Sequence, residues 1–163
     1  MLRRLSLAFV VLAAPLSAEM AHNSDMMVTG AYAYETPKSA PSGAGYLTVK
    51  NMGDTDDVLL AVRSNPMQVM MHETVEENGV ARMVHKMSVP IAAGDTVSFE
   101  PGGLHIMFMG LNGDPFEDGE TVPAILVFEK AGEVAVEFTV INRRADPPMD
   151  HGAGHDMDHG AGH

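Results

Sequence analysis

His72, Met83, His105 and Met107 form a spaced array, with ten residues between the first two, twenty-one between the next two and one between the last two. Two imidazoles and two thioethers, in a chain without cysteine, make an uncharged donor set. Soft sulfur selects monovalent copper over hard, oxygen-seeking cations, while imidazole serves copper and zinc alike. The array therefore points to Cu(I). The lack of cysteine excludes a thiolate zinc site, a thiol redox motif and a cysteine-ligated blue-copper centre.

Methionine also fills irregular gaps in ordinary cores, so one Met carries little. Fourteen Met without a single Trp carry more, above all where they accompany His, which is seldom buried without a partner. Side chains alternate across a strand. In "LHIMFMG", His105, Met107 and Met109 therefore share one face, opposite Ile106 and Phe108. In "ARMVHKM", Met83, His85 and Met87 share a face, and in "VMMHE" Met70 and His72 do so while Met71 points away. Three strands each offer His or Met donors on a common side. A site closes if those sides converge.

From Met70 to Phe128 the sequence resembles the periplasmic PCuAC-type copper chaperone family, whose signature is His or Met, ten residues, Met, twenty-one residues, then His-x-Met. His72, Met83, His105 and Met107 fit that spacing, and "PGGLHIMFMGL" and "EDGETVPAILVFEKAG" resemble its flanking text. Met71 does not fit, because Arg82 stands where the Met is needed. His85-x-Met87 does not fit either, because Arg63 stands at the corresponding upstream position. The resemblance implies an all-β, cupredoxin-like antiparallel Greek-key barrel or sandwich, with Cu(I) held near one end. It further implies delivery of copper to the copper centres of respiratory cytochrome oxidase. His85, Met87, Met70 and Met109 are expected to support the site or to fill core.

Eight strands are expected: "AGYLTVKN", "DVLLAVRS", "MQVMMHETV", "GVARMVHKM", "DTVSFE", "LHIMFMG", "TVPAILVFEK" and "EVAVEFTVIN". Gly, Pro, Asn and Asp punctuate them, and Asn78-Gly79 between two alternating runs is a strong hairpin signal. Such spacing indicates an antiparallel sandwich or barrel. Helix is limited to a turn near Asp114 to Glu120. The domain spans residues 19–145, long enough for one hydrophobic core and too short for two.

The two ends read differently. Residues 1–18, with Arg3 and Arg4 before the apolar run "LSLAFVVLAA" and Ser17-Ala18 at the expected cut, are expected to be an export signal, which places the product in the periplasm. No cysteine is there to take a lipid, so a soluble, monomeric product without membrane insertion is expected. Residues 19–27, "EMAHNSDMM", are expected to be flexible at least to Ser24, with Met20, His22, Met26 and Met27 as weak extra donors. Residues 146–163 contain "MDHGAGHD" followed at once by "MDHGAGH", a repeat too poor in apolar residues to build a core. His151, His155, His159 and His163 recur there every four residues, a disordered tract suited to capturing Cu(II).

The formal charge of the whole chain is −12, which disfavours nucleic acid and attracts cations and basic partner faces. No nucleophile elbow, P-loop or dinucleotide fingerprint is present, and "HETVEE" lacks the second His of a metalloprotease helix. The reading is therefore a non-enzymatic copper carrier whose partners are copper ions and a copper-accepting assembly factor or oxidase subunit. Its rivals are a copper sequestration protein with the tail as reservoir, a copper oxidase or reductase, and a structural sandwich.

Overall fold

The computed structural model describes residues 25–144. The expected signal peptide, residues 20–24 with Met20 and His22, and the tail with His151, His155, His159 and His163 lie outside the described residues.

Ten strands run through the described chain: β1 (Met26–Tyr34), β2 (Ser42–Asn51), β3 (Asp57–Arg63), β4 (Gln68–Glu77), β5 (Val80–Lys86), β6 (Val89–Ile91), β7 (Thr96–Phe99), β8 (Leu104–Met109), β9 (Thr121–Phe128) and β10 (Glu133–Ile141). The eight expected strands are β2 to β5 and β7 to β10. No helix forms among the described residues, and the segment at 114–120 is a loop with a turn. The sheet order is β5-β4-β8-β2-β1-β10-β9-β3-β6, with β7 pairing β2 as well. The long β2 binds β8 through Ser42 to Gly45 and β7 through Leu47 to Lys50, which places both on the same side of it.

Two expectations need correction. The sheet is mixed rather than purely antiparallel: β1 runs parallel to β10, with Tyr32 opposite Thr139 and Tyr34 opposite Ile141. The first strand reaches the last only after the whole domain has crossed between them, and such long crossovers permit parallel pairing. The sheet is also not closed by hydrogen bonds, since β5 and β6 are its two ends among the described residues. Closure is approached instead by packing, because Leu60 to Val62 of β3 and Val69 to Met71 of β4 line a common cleft.

Alternation fills the core. In β9, Val122, Ala124, Leu126 and Phe128 are buried while Thr121, Pro123 and Ile125 are exposed. Leu47, Val49, Leu59, Ile106, Phe108, Phe138 and Val140 join them in one cluster, each full burial of such a side chain being worth about 1.5–3 kcal/mol. Gly45 of β2 is required by packing. A Cβ there would lie 2.7 Å from Cε2 of Phe108 and 3.0 Å from Cε1 of Phe138. Buried Asp57 ties the β3 entry to the turn after β9: Oδ1 accepts from the Val58 and Lys130 amides and Oδ2 from the Ala131 amide, at 2.7 to 2.9 Å.

Candidate metal centre

The β4–β5 hairpin turns at Asn78 (φ 55°) and Gly79 (φ 76°), the left-handed pair that a two-residue turn of this type needs. That turn sets the register in which His85 stands opposite His72 and Met83 opposite Thr74. On the other side of β4, His105 of β8 stands opposite His72, and Met107 opposite Met70. Directly opposed residues project from the same face. One face of β5-β4-β8 therefore carries His72, His85, His105, Met70, Met83 and Met107, while Met71 and Ile106 turn into the core.

The rings are in contact. His72 and His105 lie 5.8 Å apart between centroids with planes 27° from parallel, and His72 and His85 lie 5.4 Å apart, edge to face. His105 is only 7% exposed, and its Nδ1 lies 3.0 Å from the carbonyl oxygen of Gly103. An Nδ1–H donating there leaves Nε2 with a free lone pair, the arrangement that orients a metal-binding imidazole. The same carbonyl accepts the Thr74 amide at 3.1 Å, tying the β8 start to β4.

His72 Nδ1 is buried with no hydrogen-bond partner. A buried polar atom left unpaired loses its hydration without return, and such a nitrogen between two imidazoles suits a cation. Burial, then the His105 and His85 charges, hold the His72 ring below the ordinary imidazole value. It is thereby kept in the neutral form that can donate to a metal.

The thioethers grade from inside to outside. Met107 is half-buried between Met70 and Ala44 of β2, whereas Met83 is 59% exposed. Among the described residues, no three His, Asp, Glu or Cys side chains close on one point at metal-holding range. A cation here would depend on sulfur to complete its coordination. Further along the sheet, Tyr32, Tyr34 and Tyr46 pack with centroids 5.1 to 5.8 Å apart. Burial, followed by the neighbouring tyrosines, pushes Tyr32 well above the usual phenol range, so it stays neutral and offers no phenolate.

The register thus juxtaposes His72 and His105, sets Met107 beside them, and leaves Met83 on the outer strand diagonal to His72. The spacing pattern assigned His85 at most a supporting place, yet its ring is as near to His72 as that of His105. Its place on the Met83 face was readable from alternation. Its pairing with His72 needed the hairpin register.

Residues 26–140 match the family described as "Putative lipoprotein LpqE-like". The chain belongs to the LpqE-like family. Within reach of this LpqE-like chain is the "Putative lipoprotein Lxx21020" of Leifsonia xyli subsp. xyli (strain CTCB07), 41% identical over 107 residues, which make up 63% of this chain and 64% of that relative's length. Among solved structures, the fold is similar to the apo PCuAC domain of PmoF2, with a TM-score of 0.62 at 21% identity, covering 76% of this chain and 95% of that one. It is also similar to apo-DR1885 from Deinococcus radiodurans, with a TM-score of 0.56 at 27% identity over 88% and 95% of the two chains. The Cu(I) form of DR1885 matches at a TM-score of 0.53 and 22% identity, over 78% and 85%. The likeness to the PCuAC-type family drawn from the sequence is borne out at the level of the fold, as is the all-β cupredoxin-like architecture.

Proposed function

We propose that this LpqE-like domain is a copper chaperone that holds one Cu(I) between His72, Met83, His105 and Met107. The observation that carries this reading is the His72–His105 pair. One ring has a buried nitrogen without a partner, and the other is pinned through Nδ1 beside a thioether. Neutral imidazole and thioether leave the ion its single positive charge and, unlike thiols, survive outside a reducing compartment. The exposure of Met83 suits a cargo that must leave, because an incoming ligand can displace the outermost donor first. Function outside the cytoplasm, delivery to the copper centres of cytochrome oxidase, and Cu(II) capture by His151, His155, His159 and His163 complete the proposal. The likeness to DR1885, whose Cu(I) form has been solved, supports the choice of metal.

An anaerobic Cu(I) titration tests it on three proteins: the mature chain, a chain stopped after Asp146, and that shorter chain with His105→Ala and Met107→Ala. About one tight equivalent is expected in the first two and none in the third. Retention of that equivalent in the third protein would refute the assignment. Loading of several ions by the full chain, with no tight domain site, would favour the sequestration reading instead.

A further inference from the structure

Beside the His72 array lies an open cleft of about 230 Å³ between β3 and the β4–β5 hairpin. Its donors are His85, Met70 and Met87, set among apolar Leu60 and Val62. Met87 is 79% exposed, and His85 is exposed as well. None of the three belongs to the His72, Met83, His105, Met107 set. Lys86, the one cation lining the cleft, has its ammonium held 3.0 Å from the Glu73 carboxylate, which offsets its charge toward an incoming ion. His85 forms the wall shared by the two places, since it lines the cleft while its ring packs edge to face on His72 at 5.4 Å.

We propose that this cleft is a second soft-metal station, built from His85, Met70 and Met87, through which Cu(I) passes to and from the His72 array. The handover part rests on the copper reading above; the station itself rests on its own donors. One imidazole and two thioethers form a neutral, soft set suited to a monovalent d¹⁰ ion and poorly suited to hard cations. Passage is ligand exchange: a bond to His72 forms as a bond to Met87 or His85 breaks. The copper stays monovalent throughout, and no electron or proton need be supplied. The exposed side of the station lets a donor atom of a partner protein bond to the ion as the bond to exposed Met87 breaks, without opening the more buried His105 side.

Silver(I), a redox-inert probe of the same charge and softness, tests this on the full chain by magnetic resonance of carbon-labelled Met methyls and nitrogen-labelled His rings. The expected result is two resolved responses. Signals of His105 and Met107 move first, and those of His85, Met70 and Met87 move with further silver. In His85→Gln with Met87→Leu, the second response should weaken by about tenfold or more while the first persists. Withdrawal of metal from the His72 array by a chelator should slow in parallel. Because Met87 is so exposed, Met87→Leu alone serves as the variant whose folding is least in question.

Unmoved His85, Met70 and Met87 signals in the unsubstituted chain would overturn the station. Loss of the first response in the double variant would overturn it too, since one continuous site would then exist. Movement of the cleft signals without any at His105 and Met107 would uphold the station, overturn the handover, and refute the main copper reading separately.

Discussion

His72 is a neutral ring enclosed by two others, and acid acts on it in a defined direction. Its folded value lies below the ordinary imidazole one, through burial and then the charges of His105 and His85. As pH falls past about 6.5, the unfolded chain takes up the proton first. The stability tied to His72 is therefore complete above that pH and is lost as pH falls through the lower folded value. On the proposed reading, Cu(I) competes with the same proton. Apparent affinity should be flat near neutrality and decline only as pH falls through that lowered folded value, and His72→Met, a thioether with no proton to gain, should make the decline shallower. Competition titrations across pH read both slopes. Asp57 behaves as a depressed carboxyl. Burial would raise it, but the Lys130, Val58 and Ala131 amides and the Lys130 charge prevail and hold it below the usual carboxylate range. Its contribution is present above about pH 3.9 and is lost as pH falls through the folded value. Asp57→Asn, which cannot satisfy all three donors, should lower stability near neutrality by roughly 1–3 kcal/mol. It should also remove part of the acid-induced loss, as denaturant unfolding at two pH values would show.

The β4–β5 hairpin is the element on which the site depends. It supplies His72, His85 and Met83, yet β5 is a sheet edge with nearly every residue exposed. Its position is thus set largely by the Asn78-Gly79 turn and by its ladder to β4. A side chain at Gly79 meets no atom within 4 Å, so a substitution there acts through the backbone, whose φ is 76°. Gly79→Val should cost about 1–2 kcal/mol and weaken Cu(I) binding, with melting temperature and titration as the paired readouts. An unchanged Cu(I) affinity would show that Met83 is not a ligand. The hairpin was legible beforehand because Asn-Gly between alternating runs carries a specific backbone demand. β1 and β6 were not. β1 is broken by Gly30 at φ 59° and by a register shift between Thr29 and Tyr32, which spoils its alternation. β6 has three residues with Pro90 in the middle, and such a run looks like turn punctuation.

Across the whole domain, the His- and Met-bearing face and the core are two sides of the same strands. Phe108 and Ile106 face inward from β8 between His105, Met107 and Met109. Packing of the Phe108 and Phe138 rings, edge to face at 5.3 Å, therefore holds the strand that carries His105 and Met107. Gly45→Ala would press a methyl group onto both rings and should destabilise the fold by about 1–3 kcal/mol. It leaves every donor in place, so Cu(I) stoichiometry should persist in the folded fraction while the unfolding midpoint falls. Loss of stoichiometry in protein that remains folded would show that β8 is positioned by something other than this contact.

Local chemistry settled much in advance. A thiol-free array of His and Met names a soft monovalent ion, and a period of two assigns each of these side chains to one face of its strand. The partnering of faces could not be obtained in that way. Alternation says which side a residue points to, but not which strand lies next to it, nor how far that strand is slid along. Those choices depend on non-local packing: β4 lodged between β5 and β8, β1 returned beside β10, and Gly45 under two phenyl rings. They set His105 against His72, left one His72 nitrogen without a partner, and opened the cleft beside it. No spacing rule contains that result, because it arises from contacts between residues far apart in the chain.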